Sequence, residues 1–280
     1  MTVAIVDMTL EDAETIFIDT LQSTGFAVLR NPPLDGDRMA RMAAAWRDFF
    51  ASEAKWDYVA ETVASGNTSG YIPPDVSETA VGHGIKDLKE FFHIVPDTRM
   101  PDSLRADALE HLREAQALGR LLLSWIDQHC SSALPVAMRG ELASSLSATD
   151  SLLRMLHYPP LSGDEPAGAV RAAAHEDINL ITLLPVASEP GLQVLAKTGD
   201  WQDVPGDSGD VIVNSGDMLQ EASGRSLPST SHRVINPPRA EDNLSRISMP
   251  YFIAPRLDLR LSERHTAGTY LRERLELLAR

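Results

Sequence analysis

The chain has a single cysteine, Cys130, among 280 residues. That excludes an internal disulfide and fits a reducing compartment. Cys130 closes a helical apolar run, so it reads as a small buried hydrophobe rather than a nucleophile. Basic residues are scarce: 25 Lys and Arg stand against 40 Asp and Glu, a formal charge of −15. Nucleic acid and anionic membrane reward clustered positive charge, so neither is expected as a main partner. No apolar run approaches the length of a bilayer span. The first residues include Asp7, Glu11 and Asp12 and carry no basic segment, unlike a signal peptide. The expected setting is cytoplasmic.

What is present suffices for a substantial core, with 43% hydrophobic residues. Residues 1–150 read as mainly helical. Val3–Val6 is a short strand candidate, Thr9 opens a capping-box-like start to a helix ended by Gly25, and Phe26–Leu29 reads as a buried strand. A helix follows from Asp35 to about Phe50, with Met39, Met42, Trp46 and Phe49 on one face. Residues 64–87 are polar and rich in Gly and Pro, and are expected to be an irregular loop bordering a binding site. Leu88–Val95 suggests a core strand. Residues 102–129 carry the strongest helical periodicity, and 135–146 allow a short helix. Beyond residue 150, strand-like segments at 152–158, 172–184, 192–195, 201–203, 211–214, 232–235 and 246–253 alternate with turns. Many short strands at close spacing suggest a sandwich, barrel or jelly roll. Residues 263–280 read as a terminal helix, and no linker separates the parts, so residues 1–280 form one domain.

Within the stranded part, His175-Glu176-Asp177 places an imidazole and a carboxylate two residues apart, on one face if the segment is a strand. Of eight histidines, only His175 has an acidic residue two places on. His232 lies far enough along for intervening strands to run out and return. Two imidazoles and a carboxylate on one point leave open positions on non-haem Fe(II). Zn(II) accepts the same ligand types, so ligand type alone leaves the metal open. Arg246 and Ser248 share a strand face, and a guanidinium beside a hydroxyl is a socket for a carboxylate. Alone, each of these residues would be read as structural; the combination points to a site.

The combination resembles the 2-oxoglutarate- and Fe(II)-dependent dioxygenases, in the branch that includes isopenicillin N synthase. Arg154–Pro160 is similar to that branch's Arg-x-Asn-Tyr-Tyr-Pro-Pro segment, and Gly191–Val194, Asn214–Gln220, Ser229–Val234 and Gly25–Asn31 match further motifs. The resemblance implies an α+β fold with a double-stranded β-helix (jelly-roll) core at residues 151–262 and helices packed on one side. It implies His175, Asp177 and His232 as iron ligands, with no catalytic residue beyond them. Arg246, Ser248 and Tyr158 would hold 2-oxoglutarate, and O₂ and a small organic molecule would be the reactants. Leu156 stands where the family usually has Asn. Tyr71 and His93 are candidates for the substrate pocket, though each also reads as an ordinary packed residue. Asp217 reads as a turn former beside Gly216, and His157 should face away from Tyr158. Two other readings stay open: an iron oxidase of the isopenicillin N synthase type that uses no 2-oxoglutarate, and a jelly-roll binding module with a structural metal.

Overall fold

The computed structural model describes residues 2–62, 68–75, 85–135 and 138–278. In chain order the elements are β1 (Ile5–Asp7), α1 (Ala13–Thr24), β2 (Phe26–Arg30), α2 (Gly36–Ala51), β3 (Glu61–Thr62), β4 (Thr68–Ile72), β5 (Glu90–Ile94), α3 (Asp102–Cys130), α4 (Leu142–Ser145), β6 (Leu152–Tyr158), β7 (Ala172–His175), β8 (Ile181–Pro185), β9 (Leu192–Leu195), β10 (Trp201–Asp203), β11 (Val211–Ser215), α5 (Asp217–Ala222), β12 (His232–Val234), β13 (Arg246–Ser248), β14 (Tyr251–Ile253) and α6 (Ala267–Leu278). Among the described residues, ten strands form a larger sheet in the order β1-β2-β11-β8-β14-β6-β5-β4-β3, with β13 also on β6, and β10-β9-β12-β7 form a smaller one. The two sheets make the jelly roll.

Alternation along each strand decides what faces where. On β6, Leu153 and Met155 join the core under the helices, while Leu156 and Tyr158 join the cluster between the sheets. On β2, Ala27 and Leu29 face the helices, and Phe26 and Val28 face the smaller sheet. The helix-side core gathers Phe17 and Leu21 of α1, Trp46 and Phe50 of α2, and Leu118, Leu122 and Ile126 of α3. Each large apolar side chain buried this way contributes about 1.5–3 kcal/mol. The long α3 thus backs the sheet, as its periodicity predicts.

Several local expectations change. Residues before 150 are not only helical; they supply five strands to the larger sheet. Thr9 does not cap α1, because its hydroxyl and its amide both bind the Asp7 carboxylate, at 2.7 and 3.0 Å. Within the stretch expected to be irregular, Thr68–Ile72 is a strand paired with β5. Gly70 permits this: its φ is +114°, and a Cβ there would lie 2.6 Å from the Tyr58 carbonyl oxygen. The remainder of 64–87 falls largely outside the described residues. The expected strand 246–253 is interrupted between β13 and β14 at Pro250, which has no N–H to give a ladder. The expected strand 172–184 divides into β7 and β8, which belong to different sheets.

Candidate active site

A cavity opens between the sheets, enclosing about 530 Å³ of space, solvent at its mouth included. β6, β8 and β11 present Arg154, Leu156, Tyr158, Thr182, Leu184 and Asn214 to it from one side. His175, Leu192, His232 and Val234 face it from the smaller sheet.

The division of 172–184 into two strands is what makes the metal-type cluster. β7 ends at His175, so Asp177 is not on a strand. It sits on the loop that crosses from the smaller to the larger sheet. His232 pairs directly with His175 across the β12–β7 ladder. The candidate ligand atoms of His175, Asp177 and His232 lie within 4.8 Å of one another. The Nε2 atoms are 3.9 Å (His175) and 3.8 Å (His232) from Asp177 Oδ1.

The outer contacts orient each donor. His175 Nδ1 is 2.8 Å from the Ala173 carbonyl and His232 Nδ1 is 3.2 Å from that of Thr230. A carbonyl only accepts, so both Nδ1 atoms carry a proton, and both Nε2 atoms face the cavity. Burial and the neighbouring His232 push His175 down to about 4, so its ring is neutral at neutral pH. Asp177 Oδ2 accepts hydrogen bonds from Thr182 Oγ1 at 2.6 Å and Asn214 Nδ2 at 2.9 Å, which leaves Oδ1 toward the imidazoles. Burial opposes the Asp177 charge, yet the two histidines, Asn214 and Thr182 outweigh it and hold its pKa below the usual carboxylate range. Two imidazoles and one ionised carboxylate are a donor set that fits a divalent ion.

Further along the same cavity, Arg246 is 3% exposed and packs against the Tyr158 ring. Its register partner on β6 is Tyr158, and that of Ser248 is Leu156. The guanidinium donates to the Ser248 hydroxyl and, at 3.1 Å from Nε, to the Glu189 carbonyl. No described carboxylate forms an ion pair with it. A buried guanidinium served only by a hydroxyl and a carbonyl is costly unless an anion joins it. The Tyr158 hydroxyl, which makes no hydrogen bond to the described residues, stands beside it. This end of the cavity fits a carboxylate.

Other expected positions divide. Leu156 lines the cavity, so an apolar group stands where the family pattern has an amide. His157 points the other way, as alternation requires, and meets Glu90 at 2.7 Å. Tyr71 is corrected: its hydroxyl donates to Glu90 and its ring packs against Phe50 and Trp56, beneath the sheet and away from the cavity. His93 is also absent from the lining. It stands behind Arg154, accepting from that guanidinium's Nε at 2.9 Å. Asp217 does more than shape a turn: its amide donates to the Asp177 carbonyl at 2.8 Å. Its carboxyl is pushed up to about 6, by burial first and then by Glu176. Thr182, Asn214 and Lys89 line the site although the sequence alone does not mark them as site residues. The one available signal is a polar residue at an inward position of an otherwise apolar strand.

Known proteins agree with this geometry. The family model of the 2OG-Fe(II) oxygenase superfamily matches residues 149–255. A Shewanella oneidensis protein of known structure is 45% identical, superposes with a TM-score of 0.87, and is aligned over 100% of this chain and 99% of its own. A full-length Neurospora crassa protein solved in complex with alpha-KG (2-oxoglutarate) is 26% identical with a TM-score of 0.79, over 97% of this chain and 95% of that one. The proline hydroxylase buaE of Petromyces alliaceus is 31% identical over 85% of this chain and 80% of its own. The chain belongs to the 2OG-Fe(II) oxygenase superfamily. Its cofactors are Fe(II) and 2-oxoglutarate, and it is a dioxygenase acting on a small organic molecule. That supports the 2-oxoglutarate-dependent reading over the two rivals.

Proposed function

We propose that His175 Nε2, Asp177 Oδ1 and His232 Nε2 hold the iron, and that Arg246, Ser248 and Tyr158 take the distal carboxylate of 2-oxoglutarate. Bound together, iron and 2-oxoglutarate supply the oxidant, with oxidative decarboxylation of the keto acid coupled to hydroxylation, desaturation or ring closure at a substrate C–H bond. The chain's own part is to position and to exclude water. Ala173 and Thr230 fix the imidazole tautomers, and Thr182 and Asn214 aim the carboxylate. The apolar walls at Leu156, Leu184, Leu192 and Val234 keep the site dry. One observation carries the reading: a cluster of two histidines and a carboxylate shares a cavity with a buried guanidinium that has no carboxylate of its own among the described residues.

The substrate is a free small molecule rather than a base within a nucleic acid, because a formal charge of −15 repels phosphates. Among the described residues, no helix is long and apolar enough to cross a membrane. The lone Cys130 supports a reducing, cytoplasmic setting. The test is Asp177→Ala. Iron retained on a desalted sample and labelled CO₂ released from 2-oxoglutarate should both fall to background while the circular dichroism spectrum stays native. Full iron occupancy in that variant would end the ligand assignment.

A further inference from the structure

The cavity wall holds a lysine that the chemistry above leaves without a task. Lys89 directly precedes β5 and is 8% exposed. Its neighbour Glu90 pairs with His157 across β5 and β6, so Lys89 is level with Tyr158. Glu90 and His157 meet on the helix side, and alternation turns Lys89 toward the cavity, which it lines. Arg246 pairs with Tyr158 from the other edge of β6. Neighbouring strands lie about 4.8 Å apart, so the Lys89 and Arg246 backbones stand roughly 10 Å apart with Tyr158 between them. The Lys89 ammonium donates to Asp87 Oδ2 at 2.7 Å. Asp87 Oδ1 in turn accepts from the Ala173 amide at 2.9 Å, two residues before His175. The pair therefore ties the edge of the larger sheet to β7, and the Lys89 charge acts on the His175 ring. A latch between sheets needs one hydrogen bond, but an ammonium carries three donors. Among the described residues the protein gives Lys89 Nζ one acceptor, on a wall that is otherwise apolar at Leu156, Leu192 and Val234. Buried donors without acceptors are costly unless a ligand supplies them.

We propose that Lys89 is a substrate anchor and that the group it binds is a neutral carbonyl oxygen, held across Tyr158 from the co-substrate carboxylate. This rests on the assignment of 2-oxoglutarate to Arg246. Asp87 decides the charge of the ligand. It already balances the ammonium, so a substrate carboxylate on Lys89 would stand close to a second, buried carboxylate and be repelled by it. A carbonyl, as in an amide or a lactam, accepts the same hydrogen bond and adds no charge. Arg246 has no carboxylate and takes an anion; Lys89 has one and takes a neutral acceptor. The aliphatic walls beside Lys89 suit a compact hydrocarbon body attached to that carbonyl.

The probes are phenylacetamide, 3-phenylpropionamide and cyclohexanecarboxamide, each paired with its carboxylic acid. They are titrated calorimetrically, under argon, into the Fe(II) enzyme saturated with 2-oxoglutarate. At least one amide should bind tenfold or more tightly than its acid. Lys89→Met should weaken that amide at least tenfold, and Lys89→Arg, which keeps a charged donor, should restore part of the loss. Asp87→Asn, which removes the opposing anion at nearly constant shape, should turn the preference toward the acid. 2-Oxoglutarate affinity, read from its metal-to-ligand absorption band, should stay within twofold in Lys89→Met. The proposal is overturned if no amide exceeds its acid, if amide affinity survives in Lys89→Met, or if Asp87→Asn leaves the amide-to-acid ratio unchanged. A mere latch between the sheets would lower Tm in both variants and leave that ratio alone. Should Lys89→Met fail to fold, the ratio in Asp87→Asn decides. Unchanged 2-oxoglutarate affinity in Arg246→Ala would instead break the co-substrate assignment, and the amide-to-acid ratio would still report on Lys89. A loss of 2-oxoglutarate affinity in Lys89→Met but not in Arg246→Ala would move the co-substrate to Lys89 and overturn both.

Discussion

The two faces of β6 carry two buried polar clusters built on opposite principles. On the helix side, His157 and Glu90 meet at 2.7 Å, and Lys55 reaches the same carboxylate at 2.9 Å. The Tyr71 hydroxyl also donates to Glu90, and His157 Nε2 is 2.8 Å from the Ser245 hydroxyl. Every charge there has a protein partner. Burial alone would raise the Glu90 pKa, but His157, Tyr71 and Lys55 outweigh it and hold it below the usual range. One residue further along the strand, Tyr158 faces the cavity beside Arg246, whose charge meets only a hydroxyl and a carbonyl among the described residues. A satisfied buried charge network specifies structure; a buried charge left incomplete by the protein is shaped for a ligand.

The sharpest way to break this contrast is Glu90→Ala. It strands the Lys55 ammonium, the His157 ring and the Tyr71 hydroxyl, and should cost about 3–5 kcal/mol in denaturant unfolding. The 2-oxoglutarate affinity of the folded fraction should be unaffected. Loss of binding without loss of stability would reverse the roles of the two clusters.

Arg246→Met should do the opposite. Removing charge-assisted bonds to a desolvated carboxylate should weaken 2-oxoglutarate by about 2–3 kcal/mol, roughly 30- to 150-fold in an anaerobic titration. Unfolding free energy should hold or rise, because an incompletely paired guanidinium is replaced by a hydrophobe of similar length. Arg246→Lys keeps the charge but not the fork, so it should recover part of the affinity.

A third buried group tests whether an orphan polar atom is enough to mark a site. His111 on α3 is 1% exposed, its Nδ1 has no partner among the described residues, and burial pushes it down to about 4. It is neutral when folded at neutral pH, so it attracts no anion. Its folded pKa lies below the ordinary 6.5, so its stability contribution is complete above pH 6.5 and is lost as pH falls toward 4. Between pH 7 and pH 5 that amounts to about 2 kcal/mol. His111→Leu should flatten the pH dependence of unfolding by that amount, with no change in 2-oxoglutarate binding.

Ser248→Ala should have the smallest effect. It removes one neutral hydroxyl from the carboxylate socket, worth about 0.5–1.5 kcal/mol. 2-Oxoglutarate should bind about two- to tenfold more weakly, and stability should hardly move. A loss as large as that of Arg246→Met would mean that Ser248 acts mainly by holding the guanidinium in place.

Much of this is legible in the sequence. Periodicity identifies α2, α3 and the short strands, because burial on one face imposes a repeat that survives in sequence. The residues of the triad and the Arg-x-Ser pair are recognisable because their chemistry is rare in strand interiors. The position of Asp177 is less legible. Its two-residue spacing from His175 suggests a shared strand face, but the strand stops at His175, and Thr182 and Asn214 on the larger sheet set the carboxylate's direction. Those partners are 5 and 37 residues away, separations that carry no local signal.

The sequence by itself determined which residues could ligate a metal or bind a carboxylate, and which faces were apolar, since both follow from side-chain chemistry and short-range repeat. Tertiary structure decided which way Tyr71 and His93 point, that Arg154 shares a cavity with Arg246, and that no described carboxylate pairs with Arg246. These depend on strand register across the sheet, where shifting a pairing by one residue exchanges the two faces, and no single strand encodes the identity of its neighbours.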